Sequence, residues 1–178
     1  MPALLILTGA SHTGKTTVAK AILEMSPTPA AYLGVDDVLE STITKPGGSI
    51  WAEIPLAYAL LEPQVATLLG RGWLVVLEST FTYVPGDAEP QFHSAELKRM
   101  IEIAESQRAP WLLVQLTVAD DVAGDRAERG GRLSREIVER THALHRSAAL
   151  PEGVRRLDTG RRNAEDLARI VLAELGKH

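Results

Sequence analysis

An apolar run, Leu4-Leu5-Ile6-Leu7, passes through Thr8 into Gly9-Ala10-Ser11-His12-Thr13-Gly14-Lys15-Thr16-Thr17. The run reads as a short buried strand, and Val18-Ala19-Lys20-Ala21-Ile22-Leu23 continues as a helix. Between them the spacing G-x-x-x-x-G-K-S/T is met at Gly9, Gly14, Lys15 and Thr16. No other feature restricts the fold as much, because a strand turning into a helix through such a loop is a unit of parallel α/β sheets. The chemistry needs these residue types. Glycines let the backbone curl until successive N–H groups face one hollow, where they hold phosphate oxygens. The helix adds the positive end of its dipole to the same anion. Lys15 has the reach for β- and γ-phosphates, and the Thr16 hydroxyl suits the Mg²⁺ that travels with them.

A chain of 178 residues has the length of one domain, enough for a full core and too little for a multidomain ATPase. Hydrophobic residues at 45% and charged residues at 24% fit a globular protein with such a core. A formal charge of −4 argues against a nucleic-acid partner, since binding a phosphate backbone needs a basic face. The absence of cysteine removes thiol catalysis, disulfides and cysteine metal sites. No stretch has signal-peptide or transmembrane character, so a cytoplasmic enzyme without a membrane partner is expected.

Further along, Ser26-Pro27-Thr28-Pro29 breaks the first helix, and residues 31–35 read as a second strand ending in Asp36-Asp37. A short helix is expected from Asp37 to about Lys45, then a loop at Pro46-Gly47-Gly48. Leu60, Leu61, Val65, Leu68 and Leu69 keep helical spacing, with Pro63 expected to kink or split that helix. Residues 73–77 form the third strand, ending in Glu78-Ser79-Thr80, and a Pro/Gly-containing loop covers 84–90. A helix over about 94–107 turns Leu97, Met100, Ile101 and Ala104 to one face, and residues 111–116 are the fourth strand. Ser134 can cap another helix, residues 154–158 form a fifth strand, and Asn163 with Asp166 opens a last helix. Five strands alternating with helices predict a parallel sheet covered on both faces, of the P-loop NTPase type.

Asp36 is the best candidate for a base, if the second strand runs beside the first and brings its tip to the γ-phosphate. The competing role for Asp36 or Asp37 is a helix cap. Glu78 stands where a Walker-B acid would, and can hold Mg²⁺ or orient substrate. Arg126, Arg129 and Arg132 recur every third residue, along a helix face or a short lid over about 124–134, with Gly130-Gly131 as a hinge. Their guanidinium forks suit phosphate oxygens, and the competing reading is a solvated helix paired with neighbouring acids. His142 and His145 have a metal spacing without further ligands in view, so they read as surface or pocket wall. Trp73 and Trp111 open strands and read as core. Trp51, Tyr58, Phe81 and Tyr83 lie near loops over the expected site, with core packing the stronger role for each.

With these residues assembled, the chain resembles the chloramphenicol phosphotransferase-like kinases, small P-loop kinases related to shikimate and nucleotide kinases. The resemblance covers most of the chain. It is carried by the loop at 9–17, by Leu33-Gly34-Val35-Asp36-Asp37-Val38-Leu39-Glu40, by Gly72-Trp73-Leu74-Val75-Val76-Leu77-Glu78, and by Leu157-Asp158-Thr159-Gly160. It implies Asp36 as catalytic base, Arg126, Arg129 and Arg132 as lid arginines, and residues 159–162, with Arg162, beside the nucleotide base. Ser79 stands where the family has a second acid, and residues 41–58 and 81–92 share little with it. Those segments are the ones expected to shape the acceptor pocket, so chloramphenicol itself is not implied.

The reading is thus an ATP- and Mg²⁺-dependent kinase acting on a hydroxyl of a small molecule, an antibiotic or other natural product. Lys15, Asp36 and Arg132 form its catalytic set, Thr16 and Glu78 its metal pair. One alternative is a kinase for a nucleoside, nucleotide or polynucleotide 5′-hydroxyl. Another is a non-catalytic nucleotide-binding module, which would carry a guanine-reading N-K-x-D motif that the sequence lacks. The acceptor and the oligomeric state stay open.

Overall fold

The computed structural model describes residues 2–42, 50–83, 91–130 and 134–177; the side chains of Ile50, Trp51, Tyr83 and Gln91 lie outside that description too. Strand β1 (Ala3–Thr8) is buried at every position, so it can sit only in the middle of a sheet covered on both faces. The sheet has five parallel strands in the order β2 (Ala30–Gly34), β3 (Leu74–Glu78), β1, β6 (Trp111–Thr117) and β7 (Arg155–Asp158). The expected neighbour of β1 is therefore wrong: β3, not β2, lies between β1 and the far edge. β3 is the most apolar strand after β1 and belongs inside, whereas β2 is only half-buried and fits an edge.

Alternation along the strands divides the core. Leu5, Leu7, Val76 and Val114 face helices α1 (Lys15–Met25) and α7 (Ala164–Leu175). Leu4, Ile6, Val75, Leu77 and Leu113 face α2 (Val35–Thr42), α3 (Ile54–Gly70) and α4 (Ser94–Ser106). A short 3₁₀ turn (Ile50–Glu53) precedes α3. In α4, Leu97, Met100, Ile101 and Ala104 are all buried, as their spacing predicts. Asn163 caps α7 by accepting from the Asp166 amide at 2.8 Å. Beyond the sheet, α5 (Asp120–Gly130) and α6 (Arg135–Ser147) pair over a small core of Val118, Ala123, Ala127 and Val138. A two-stranded antiparallel ribbon, β4 (Thr82–Tyr83) with β5 (Gln91–Phe92), is an addition that sequence periodicity did not announce.

Pro63 does not split α3, which runs unbroken through it. The proline denies an amide to the Ala59 carbonyl, but both residues lie on the exposed face, where water can satisfy that oxygen. α2 starts at Val35, so Asp36 and Asp37 stand in its first turn rather than at a strand tip. Trp73 is half-buried outside both core clusters, while Trp111 packs against the α3/α4 side. Tyr58 and Phe81 are fully buried and stack on each other at 5.3 Å, which gives them to the core. The expected loop at Pro46-Gly47-Gly48, the loop over 84–90, Arg132 and the side chains of Trp51 and Tyr83 fall outside the described residues. No described helix is long and apolar enough to cross a membrane.

Candidate active site

Strands flanking β1 on either side belong to different halves of the chain, β3 before and β6 after, so a crevice opens at its carboxyl end. Residues 9–14 turn there. Gly9 has φ 147°, and a Cβ on it would strike the Leu116 carbonyl and lie 2.9 Å from Thr13 Oγ1. Gly14, at φ 86°, sits in the left-handed region just before α1.

Donors from separate elements then fix the loop's peptides one after another. His142 Nε2 on α6 donates to the Ser11 carbonyl at 3.1 Å. Arg126 Nη1 on α5 donates to the His12 carbonyl at 3.0 Å, and Thr159 Oγ1 after β7 donates to that of Thr13 at 2.8 Å. In a trans peptide the N–H points opposite to the C=O. Pinning these carbonyls toward surrounding elements therefore turns the amides of His12, Thr13 and Gly14 the other way, into a common hollow. Thr13 Oγ1 and Lys15 Nζ both donate to the Ala10 carbonyl, at 2.9 and 3.1 Å. Lys15 is 7% exposed, and burial pushes its pKa below the usual lysine value, against the pull of Glu78 and Asp36.

Thr16 and Thr17 are exposed at the start of α1, and Thr16 Oγ1 donates to Glu78 Oε1 at 2.9 Å. The other Glu78 oxygen accepts from the Tyr32 phenol at 2.8 Å. A hydroxyl beside a carboxylate is a hard oxygen pair, the donor set that Mg²⁺ takes when phosphates and water supply its other ligands. Among the described residues no group of three or more His, Asp or Glu converges as a metal site of its own.

Asp36 is open to solvent at its surface, yet enough protein stands around it that desolvation pushes its pKa up. Lys15 pulls that pKa back, while Glu78, Glu40 and Asp37 add to the rise. Asp37 turns elsewhere, toward the space above Gly34 and the Tyr32 phenol. Asp36, the favoured base, and its neighbour Asp37 thus face different surroundings.

Of the arginines, Arg126 also reaches Thr159 Oγ1 at 3.4 Å, placing it between the loop and the turn after β7. Arg129 is exposed and donates to the Asp125 carbonyl of its own helix at 3.1 Å. Arg162 is exposed in the turn before α7. The structure thus brings Lys15, Thr16, Glu78, Asp36 and Arg126 together, while Arg129 and Arg162 are exposed, with no contact to those residues shown.

Sequence reading missed two contributors. His142 reads as surface or wall, yet it is 4% exposed, with Nδ1 3.1 Å from Asp120 Oδ1 and Nε2 on the loop. Asp120 also takes Arg146 at 2.7 and 2.9 Å, so α6 is moored to both α5 and the phosphate loop. Tyr32 was missed because alternation puts it on the face of Gly34, but only the β2–β3 pairing sets Gly34 beside Glu78. Behind the loop, a cavity of about 250 Å³ is lined by Gln115, Thr117, Arg156, His142 and His145 among others. His145 makes no ring hydrogen bond of full geometry; burial, then Lys15 and His142, push its pKa down to about 3 against the Thr80 backbone.

A parallel sheet carrying this loop on its central strand, with a carboxylate at the end of the adjacent strand, defines a P-loop kinase fold. The chain belongs to the AAA_33 family, described as an AAA domain, whose pattern matches residues 4–149. No curated protein matches the sequence. Among solved structures, a Chloroflexus aurantiacus protein provisionally described as a kinase is 23% identical, with a TM-score of 0.73 over 99% of this chain and 97% of its own. The tunicamycin resistance protein of Deinococcus radiodurans is 18% identical, with a TM-score of 0.68 over 99% and 96%. The Mycobacterium tuberculosis APS kinase CysC, solved with AMPPNP and APS, is 16% identical, with a TM-score of 0.68 over 99% and 98%. At such identities the likeness speaks for the fold.

Proposed function

We propose that the chain is an ATP-dependent kinase that transfers a phosphoryl group to a hydroxyl of a small molecule. The observation that carries this reading is the Asp36 carboxyl, open to the crevice and within electrostatic reach of Lys15 and Glu78. Thr16 and Glu78 would hold Mg²⁺, which supplies charge neutralisation to the phosphates when bound. The amides of His12, Thr13 and Gly14 and the Lys15 ammonium grip the triphosphate and stabilise charge on the migrating group. Asp36 accepts the proton of the acceptor hydroxyl as its oxygen bonds to the γ-phosphorus and the bond to the β-bridging oxygen breaks, leaving ADP. Arg126, Arg129 and Arg132 would serve as lid arginines, and residues 159–162, with Arg162, would lie beside the nucleotide base. An antibiotic or another natural product as acceptor accords with the tunicamycin resistance protein among the similar structures.

The test is incubation with ATP, Mg²⁺ and a library of hydroxylated metabolites, read by mass spectrometry. A phosphate gained by one acceptor class, lost in Asp36→Asn, is the expected result. ATP bound tightly with no acceptor modified would turn the reading to a nucleotide-binding module.

A further inference from the structure

We propose that Tyr32 is a positioning residue for the metal pair: its phenol holds one oxygen of Glu78 so that the other is presented to Thr16 and to the Mg²⁺ arriving with the nucleotide. The inference rests on the kinase reading only in taking Glu78 and Thr16 as the metal pair. β2 and β3 run in register with Gly34 beside Glu78 and Tyr32 beside Val76. Tyr32 therefore lies two residues behind the carboxylate on the same face, about 6.6 Å along the strand, a span a tyrosine side chain can cover. The contacts bear this out: phenol to Glu78 Oε2 at 2.8 Å, Thr16 Oγ1 to Glu78 Oε1 at 2.9 Å.

Each carboxylate oxygen thus has its own donor, from opposite sides. When a metal takes the Thr16 oxygen, that hydroxyl's hold on Oε1 changes, and Tyr32 remains to keep the carboxylate from rotating away. Gly34 makes the arrangement possible, because a Cβ there would lie 2.6 Å from the phenol oxygen and strike the Asp37 carboxylate. The ring itself packs against the α1/α7 side of the core, which Phe would preserve. Such outer partners of metal ligands typically contribute about 10–100-fold in metal affinity.

The experiment titrates Mn²⁺, followed by electron paramagnetic resonance, into the full chain bound to AMPPNP. Tyr32→Phe should weaken Mn²⁺ binding about tenfold or more. Metal-free AMPPNP affinity should stay unchanged, which separates an effect on Glu78 from a general loosening. Glu78→Gln should weaken Mn²⁺ at least as much, and adding Tyr32→Phe to it should cost nothing further. Native Mn²⁺ affinity in Tyr32→Phe overturns the proposal, as does a full additional loss in the double variant. Native affinity in Glu78→Gln overturns it together with the metal reading of Glu78. Failure of every acceptor in the metabolite screen touches the kinase reading alone, since this readout needs no acceptor.

Discussion

The two walls of the crevice are anchored very differently. On the phosphate wall, consecutive carbonyls of residues 11–13 are each tied by a donor from a different element: α6, α5 and the turn after β7. On the facing wall, Asp36 stands on an eight-residue helix that buries only Val35 and Leu39. The first wall has its amides oriented before any ligand arrives, at the cost of tying down much of the fold. The second has little holding it, and segments with few buried contacts are the ones that move on ligand binding. On the kinase reading proposed above, this difference argues that triphosphate recognition would be built into the empty protein and acceptor recognition completed on binding.

Substitutions that remove charge from the rigid wall should therefore do the most harm. Lys15→Met keeps the buried stem and loses the cation that meets developing charge, so turnover should fall about a thousandfold or more. Thermal melting should shift little, because Thr13 Oγ1 still donates to the Ala10 carbonyl. A variant that turns over normally would remove the phosphate wall from catalysis.

Next in size is Asp36→Asn, nearly isosteric, on the opposite wall. General-base contributions run about 10²–10⁴-fold, and a loose transition state favours the lower part of that range, so a loss near a hundredfold is expected. ATP affinity by calorimetry should change only a few-fold. The carboxylate is a base only when ionised, and its pKa is raised by desolvation, so turnover should climb with pH through a range above that of an ordinary aspartate. That limb should vanish in Asp36→Asn. Equal losses in turnover and ATP affinity would mean that the walls are not independent.

The same contrast explains what the sequence could disclose. The phosphate loop is legible because its chemistry sits within nine consecutive residues, β1 because burial on both faces makes it a continuous apolar run, and α4 and α7 because burial of one face imposes period 3.6. The strand order was not legible, since periodicity tells which residues are buried and not which strand they are buried beside. Placing Asp36 through a β1–β2 pairing was therefore wrong in route, although Asp36 still comes within electrostatic reach of Lys15. His142 and Tyr32 stayed hidden for a related reason. Their partners, Ser11 and Glu78, lie 131 and 46 residues away, and only the folded sheet brings them together.

His142→Ala sharpens the comparison at a third level. Removing it frees the Ser11 carbonyl, and with it the orientation of the His12 amide, while leaving Asp120 to Arg146. One lost hydrogen bond of this kind is worth about 1–2 kcal/mol, so nucleotide affinity should fall about tenfold. The Michaelis constant for the acceptor should stay within twofold or so, because the facing wall is untouched. A change confined to the acceptor would show that α6 serves the other wall instead.

The smallest effect should come from Asp37→Asn, and it is the one that can break the argument most cleanly. Asp37 neighbours Asp36 in sequence, has the same side chain and shares the first turn of α2, where either acid could cap or catalyse. Its carboxyl lies instead over Gly34 and beside the Tyr32 phenol. What it offers the helix is a negative charge near the N-terminus, worth roughly 0.3–1 kcal/mol when exposed. Asp37→Asn should thus lower stability slightly and turnover by no more than a few-fold, with the pH limb of the parent intact. If it costs as much turnover as Asp36→Asn, the two acids act as a unit and the lightly anchored wall is set by more than one carboxylate. If it alone abolishes turnover, the base is Asp37, and α2 must rotate on closing to bring that carboxylate, rather than Asp36, to face Lys15.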